Sequence, residues 1–369
     1  MGRVEATMEK SIHREPSLTV DSHRTPHPFF VPTHLRLKPD ATSDQTVEWQ
    51  SRRARKGRYT SKLHHVGSGE GQNGKDDSHS IYLRIQNVED ELKPHLVVDV
   101  SFWIAILFTL GSVVWVVNGF LVWFPDLRPN LATTAFSLSG AATAFVGGSV
   151  FELGSYLMVV EALDRGRESN FGTALGKVLH HRRRMNNSSS NSNDLSANSS
   201  RTNVEDEQNG PEGAAKGFVW WGKPMWHDLG YLAALVQLFA ATIFWVSTLT
   251  GLPGVIPGFA EGEGSVAIVD VFFWTPQVIG GMGFIVSSLI LMIEVQTKWY
   301  IPKVTDIGWW VGSWNLVGAF GFMLCGAFGY SPASGMVYES GCSTFWGSWA
   351  FLIGSCLQVW EVVWREPPK

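Results

Sequence analysis

The chain has 369 residues, a formal net charge of −4 and a mean hydropathy of +0.03. This near-neutral average combines two kinds of sequence, because residues 1–95 and about 164–217 are polar whereas long apolar runs dominate the rest. About 20 apolar residues in a helix cross the hydrocarbon core of a bilayer. The composition therefore excludes an ordinary soluble chain and indicates a membrane protein.

The polar N-terminus, MGRVEATMEK, predicts that no cleavable signal peptide is present. The cysteines Cys325, Cys342 and Cys356 show no CxxC spacing, and two of them fall inside apolar runs. A disulfide framework or a zinc site is therefore not expected. We also expect no bound metal, no cofactor and no nucleic-acid partner.

Residues 1–95 are predicted to form a largely disordered cytosolic region. The stretch SRRARKGRYTSK at 51–62 has six basic residues in twelve. Such a stretch is suited to binding anionic lipids or cytosolic proteins, and a merely solvated basic segment is the alternative.

Six apolar runs follow, at about 100–124, 133–161, 229–250, 271–294, 307–330 and 343–363. They predict an all-α membrane protein with six transmembrane helices in three two-helix hairpins, at 96–163, 218–297 and 298–369. The intervening segment 164–217 contains the low-complexity tract NNSSSNSNDLSANSS and is predicted to be a disordered cytosolic loop.

The second helix of each hairpin repeats one sequence motif. FVGGSVFELGSYLMVVE at 145–161 and FWGSWAFLIGSCLQVWE at 345–361 share eight of seventeen positions, and QVIGGMGFIVSSLILMIEVQ is a shortened third copy. Small residues on one helix face allow close helix approach in lipid. We therefore assign to helix packing Gly147, Gly154, Ser155, Gly280, Ser288, Gly347, Gly354 and Ser355.

The first helix of each hairpin begins with a related motif, DVSF at Asp99, DLGY at Asp228 and DIGW at Asp306. A small residue follows twelve positions after each Asp, and a proline follows after 25 or 26 positions. Each unit therefore consists of Asp, helix, Pro-containing turn, helix and Glu, which is the self-similarity expected of an internal repeat.

Basic residues decide the predicted orientation. The 164–217 loop, the segment before the fifth run and the C-terminal tail carry Lys and Arg, whereas the turns within the hairpins carry almost none. The positive-inside rule places both termini in the cytosol, so the three hairpins are predicted to be parallel repeats about an axis along the membrane normal.

An interfacial belt of charges is predicted at the cytosolic helix ends. Asp99, Asp228 and Asp306 are N-cap residues, and the closing glutamates form i, i+4 pairs in the favourable order. These pairs are Glu161–Arg165, Glu294–Lys298 and Glu361–Arg365. The belt fixes helix depth, or alternatively it is a ring that gates a central path.

Glu152 breaks the repeat, because the other copies have Ile285 and Leu352 there. A charge at this depth is costly, so Glu152 should face the bundle interior or be protonated. With Asn118, Gln237 and Asn315 it forms the candidate intramembrane polar site. A hydrogen-bonded structural carboxyl and a transported proton or cation are the two alternatives.

The repeated F-x-x-G-S-x-L line resembles the YrhK-type two-span membrane hairpin, and the chain resembles uncharacterised multi-pass membrane proteins of filamentous fungi with long polar N-termini. Neither resemblance implies an activity or a cofactor. We expect a non-enzymatic membrane scaffold or interaction protein, with a small proton- or cation-coupled transporter or channel using Glu152 as the alternative.

Overall fold

The structure is a computed structural model, and it describes residues 19–38, 45–56, 62–65, 93–94, 96–164, 219–259 and 262–365. The predicted disordered loop at 164–217 and its Arg165 lie outside the described residues, apart from Asp164.

An antiparallel sheet precedes the long helices. Its four strands pair in chain order, β1 (Thr19–Arg24), β2 (His34–Lys38), β3 (Gln45–Gln50) and β4 (Lys62–His65), and a short helix α1 (Ser51–Arg55) follows β3 directly. The prediction of a largely disordered segment 1–95 is wrong for these residues, and the all-α fold class is incomplete. Alternating apolar and polar residues in HLRLK and QTVEWQ are typical of strands.

Six long helices form most of the rest of the described structure. Their bounds are α2 (Val100–Leu127), α3 (Thr134–Leu163), α4 (Leu229–Thr250), α5 (Val266–Val295), α6 (Ile307–Gly329) and α7 (Ser334–Val363). Asp99, Asp228 and Asp306 cap α2, α4 and α6, each accepting a 2.9 Å hydrogen bond from a backbone N–H of the first turn. Such caps satisfy donors that have no partner within the helix.

Helices α2 to α6, five of these six, are long and apolar enough to cross a membrane. Many side chains on the outside of the bundle are apolar and exposed, among them Leu110, Phe239 and Met282. A large exposed apolar surface of this kind needs a non-aqueous neighbour. The protein therefore has the features of an integral membrane protein.

Helix α5 contains a π-helical turn at Asp270–Trp274, just before Pro276. Proline has no N–H to donate to the carbonyl four residues earlier. That carbonyl, on Phe272, instead accepts a 2.7 Å hydrogen bond from the Thr250 hydroxyl of α4. The irregular turn is thus satisfied by the neighbouring helix, as polar backbone groups in a membrane must be.

The long helices form a closed ring. Each packs against the helix before it and the helix after it, and α7 packs against α2 to close the circle. Helix α1 lies across one end of the ring, which we call the α1 end. The short turns within the three hairpins lie at the opposite end, which we call the turn end. A two-residue strand β5 (Lys93–Pro94) pairs with β6 (Trp364–Arg365) beside the α1 end.

Candidate functional site

Three glutamates from three different helices meet at the α1 end of the ring. Glu161 of α3, Glu294 of α5 and Glu361 of α7 are at most 2% exposed. Three buried carboxylates close together would repel one another and lose their hydration. A compensating set of positive charges is therefore required.

Helix α1 and the residue directly after it, Lys56, supply those charges. Arg52 binds Glu361 through two hydrogen bonds, Nε to Oε1 at 3.0 Å and Nη2 to Oε2 at 2.8 Å. Arg55 binds Glu294 in the same bidentate way, at 2.6 and 2.8 Å. Paired N–H donors facing a carboxylate make the strongest class of protein hydrogen bond.

The third glutamate has a different partner. Lys56 Nζ lies 2.9 Å from Glu161 Oε1, Arg55 Nε lies 3.4 Å from Glu161 Oε2, and the Ser101 hydroxyl also donates to Glu161. All three basic residues are 3% exposed. We call these six residues, Arg52, Arg55, Lys56, Glu161, Glu294 and Glu361, the ion-pair cluster.

Small residues in the first turn of α2, α4 and α6 make room for this cluster. Ser101, Gly230 and Gly308 all stand two positions after a capping Asp. A Cβ at Gly230 would collide with Arg55 Nη1, and one at Gly308 would collide with Arg52 Nε. The two glycines thus admit the wide guanidinium groups, and the serine stands beside the narrower lysine.

Charge complementarity keeps the two buried arginines ionised. Burial by itself lowers the pKa of Arg52, but the charge and hydrogen bonds of Glu361 outweigh it and raise that pKa above the ordinary arginine value. Burial likewise opposes the charge of Arg55, and Glu294 together with Glu161 raises its pKa. The cluster therefore contains formed ion pairs rather than neutral groups.

The glutamates of the predicted charge belt pair with bases of the N-terminal segment. Glu294 is completely buried against Arg55. Lys298 is exposed and lies beyond the end of α5, with its Nζ 5.8 Å from the centre of the Tyr300 ring. The predicted Glu294–Lys298 pair is wrong, because the helix ends at Val295 and cannot align the two side chains. The partners predicted for Glu161 and Glu361, Arg165 and the side chain of Arg365, lie outside the described residues.

An aromatic layer crosses the middle of the ring, and every long helix contributes to it. Its rings are buried and contact one another with centroids 4.8 to 6.3 Å apart. The members are Phe108, Trp115, Phe151, Phe244, Phe284, Phe322 and Phe351. Edge-on ring pairs at such distances pack favourably, and here they close the centre of the bundle.

Two cavities lie on the axis, on opposite sides of the aromatic layer. The inner chamber, of about 30 Å³, is bounded by α1 and all six long helices, and its polar lining includes Gln237, Asn315, Ser288 and Ser355. Such a volume has room for one or two waters. The vestibule, of about 280 Å³, opens toward the turn end and is also bounded by all six helices.

The predicted intramembrane polar site is not assembled as one site. Gln237 and Asn315 line the inner chamber, whereas Asn118 lines the vestibule and donates to the Gly140 carbonyl at 2.7 Å. Glu152 lies in the groove between α3 and α4, where it accepts a 2.7 Å hydrogen bond from Thr242. Glu152 lines neither axial cavity, so the first of its two expected placements, facing the bundle interior, is wrong. The other expectation, that Glu152 is protonated, stays a prediction.

The assigned packing residues lie at close helix contacts. A Cβ at Gly147, Gly280 or Gly354 would lie 2.7 to 2.8 Å from Trp115, Phe244 or Asn315, and contacts under 3.0 Å force a shift. At Gly154 and Gly347 the nearest atoms would be at 3.3 and 3.1 Å. The serines at this face are buried, and two of them donate to carbonyls of their own helix; they are Ser155, Ser288 and Ser355.

Two sets of site residues were not predicted, although the sequence carried a signal for both. Trp115, Phe244 and Phe322 each stand sixteen residues after a capping Asp, so an aromatic repeat was present. Three of the bases in the 51–62 stretch, Arg52, Arg55 and Lys56, are held by the ring and are not available to a lipid headgroup here. The signal for these bases was the recurrence of a closing glutamate in three helices together with a run of basic residues earlier in the chain.

Comparison of the chain with protein-family models, with curated proteins and with solved structures finds no match. The YrhK-type resemblance therefore stays a prediction. The fold and the site define an integral membrane protein whose helices surround an axis that is closed in the middle by aromatic rings and at one end by ion pairs.

Proposed function

We propose that this chain is a non-enzymatic membrane channel or transporter for small solutes, with the axis of the helix ring as its path. The observation that carries the proposal is the position of the two cavities. Both lie on the axis, all six long helices line both, and one aromatic layer separates them. A bundle that served only as a membrane anchor would have no need of this arrangement.

Two closures, one in the middle of the axis and one at the α1 end, form the barriers of the path. The aromatic layer is a constriction of the kind that opens or closes a pore by excluding water. The ion-pair cluster seals the α1 end, because three bases of the N-terminal segment fill the ring of three glutamates. This favours the alternative in which the repeated charges gate a central path, with α1 as the gating element.

The proposal includes the full membrane topology. The apolar length of α2 to α6 and the 30-residue length of α7 support six crossings in three parallel hairpins. Helix α7 is less apolar than the other five helices, since many of its residues are Gly, Ser or Thr that are buried against the neighbouring helices. The sparse basic residues at the turn end support a cytosolic α1 end, with both termini on that side.

The direct test is solute uptake by vesicles that contain the full-length chain. Gly230→Ala should displace Arg55 and loosen α1 without altering the path itself, and Gly335→Ala is a matched control since a Cβ there meets nothing within 4 Å. We expect uptake of at least one small solute from a panel of protons, inorganic cations, choline and polyols. Gly230→Ala should increase it several-fold and Gly335→Ala should not. Uptake equal to that of empty vesicles for all three proteins would overturn the proposal.

A second candidate is the scaffold or interaction function expected from the sequence. The observation that favours it is the docking of the sheet on the ring, through a 2.9 Å hydrogen bond from Val31 N to the His227 carbonyl and contact between Lys303 and His34. The ring would then display the sheet at the membrane surface. Absence of uptake together with a permanently docked sheet would favour this function.

A further inference from the structure

The vestibule differs chemically from the rest of the axis. Four aromatic side chains line it, Trp115, Phe244, Phe273 and Trp274, and amide and hydroxyl groups such as Gln277 stand between them. No lysine, arginine or histidine is among its described lining residues. Its volume of about 280 Å³ is near the lower end for small-molecule sites. A small ligand with apolar surface therefore matches the cavity.

The only charge among the described lining residues is an acidic one. Asp126 lies near the end of α2 and lines the vestibule close to Gly341 of α7. Farther out, the described turn-end segments carry Glu263, Asp270 and Glu339 against a single Arg128. A cleft with one sign of charge raises the local concentration of ions of opposite sign. The turn end thus favours cations over anions.

Aromatic faces and a carboxylate together recognise one class of ligand. The negative face of an aromatic ring attracts a cation, and alkylated ammonium groups are bound by aromatic cages because they combine positive charge with apolar surface. Hydrated inorganic cations gain less from such walls, because their water shells must be removed. From this geometry we infer that the vestibule is a binding site for small alkylammonium cations.

Alkylammonium cations would be the solute class that enters the proposed path. Their transport, though not their binding, rests on the proposed function. Binding and transport are measured separately. Equilibrium binding depends on the vestibule alone, whereas uptake also requires the aromatic layer and α1 to open. Failure of one is therefore distinguishable from failure of the other.

The test is choline binding to the full-length chain in lipid nanodiscs, followed by tryptophan fluorescence because Trp115 and Trp274 line the site. The neutral comparison ligand is 3,3-dimethyl-1-butanol, in which carbon replaces the nitrogen. We expect choline to bind and its neutral analogue to bind about tenfold more weakly, as the loss of a desolvated cation–π contact implies. Equal binding of the two ligands, or no binding of choline, would overturn the inference.

Two substitutions assign the site. Asp126→Asn keeps the side-chain shape but removes the charge, and Phe273→Leu keeps an apolar side chain but removes one ring. Both substitutions should weaken choline binding several-fold. Binding of the neutral analogue should be nearly unchanged in both. Glu263→Gln is the matched control, because Glu263 is an exposed turn-end acid that does not line the vestibule. Unchanged choline binding in both variants, each melting like the parent, would contradict the assignment.

Discussion

Glu152 shows how a costly residue is accommodated away from the axis. Its Oε1 accepts from Thr242 Oγ1 at 2.7 Å, which joins α3 to α4, and Trp245 of α4 donates to Ser149 of α3 one turn away at 2.9 Å. These side chains form a polar seam between the first two hairpins. This placement favours the structural alternative for Glu152 over a transport role.

Replacement of Glu152 separates those two roles. Glu152→Gln retains an acceptor for Thr242, so we expect a melting temperature close to that of the parent and unchanged solute uptake. Glu152→Leu loses this hydrogen bond, worth about 0.5–1.5 kcal/mol, but restores the residue type of the other repeats. Thermal unfolding and vesicle uptake are the measurements, and loss of uptake in a normally folded Glu152→Gln protein would show that the carboxyl takes part in transport.

Arg53 and Arg55 are two residues apart in the sequence and have opposite environments. Arg55 is buried against two glutamates, whereas Arg53 is 38% exposed and lies 3.7 Å from Asp306. Removing one member of a buried pair leaves an uncompensated charge and costs about 3–5 kcal/mol, whereas pairs made by exposed side chains are worth about 0–1 kcal/mol. Asp306 is itself buried, but without Arg53 it keeps the hydrogen bonds from Gln50 and from the Gly308 N–H.

We therefore expect Arg55→Ala to destabilise docking of α1 strongly and Arg53→Ala hardly at all. Hydrogen exchange of the α1 and β3 amides measures this, since exchange reports local opening. Similar protection in both variants would mean that the buried ion pairs do not hold α1 in place.

At the scale of elements, the contact between helices depends on small residues of the repeated motif. A leucine at Gly354 would place its Cβ 2.7 Å from Asn315 Oδ1, between α7 and α6. Overpacking of this kind costs about 1–3 kcal/mol, so Gly354→Leu should lower the folded yield. Gly335→Leu, at an open position of the same helix, is the control. Equal yields and melting temperatures would place Gly354 outside a tight interface.

The docked sheet should respond to pH through His34. Burial, followed by the charge of Lys303, lowers the pKa of His34 from 6.5 to about 4, and Lys303 Nζ lies 3.4 Å from Nε2. An undocked His34 binds a proton below pH 6.5, whereas the docked one does so only near pH 4. Docking should therefore be strongest above pH 6.5 and weaken as the pH falls toward 4.

Exchange of the β2 amides between pH 7 and 4.5, corrected for the intrinsic pH dependence, measures this effect. In His34→Gln the side chain cannot titrate, so the extra loss of protection at low pH should disappear. The same pH dependence in parent and variant would assign the effect to other groups, among which Asp306 also faces His34.

The elements also show which features local sequence could predict. The apolar runs predicted the positions of the long helices, because a run of twenty or more apolar residues is typical of a membrane-spanning helix. The capping aspartates marked the starts of α2, α4 and α6. The same sequence did not predict the partners of the closing glutamates, because Arg52, Arg55 and Lys56 lie 105 to 309 residues away along the chain. Pairing over such distances is set by the closure of the ring, which local periodicity does not encode.

On the scale of the whole molecule, one polar arrangement is built three times and completed by a segment outside the hairpins. Each hairpin contributes a small residue in its first turn and a closing glutamate. Helix α1 and Lys56, the residue directly after it, contribute one base for each glutamate. Three unpaired carboxylates would destabilise the ring, so its stability and its closure depend on the same contacts. Any process that removes α1 from the ring would at once expose the inner chamber and create a ring of negative charge at the α1 end.

Closure of the axial path by α1 is tested most directly by cysteine accessibility. The inner chamber is probed with Ser355→Cys, in a chain whose native Cys325, Cys342 and Cys356 are replaced by serine. A membrane-impermeant thiol reagent is added at the α1 end. Ser355 is 2% exposed and lines the chamber beneath α1. We predict protection of this cysteine when α1 is intact and rapid labelling when Gly230→Ala is added. Equal labelling with and without Gly230→Ala, whether fast in both or absent in both, would contradict closure of the path by α1.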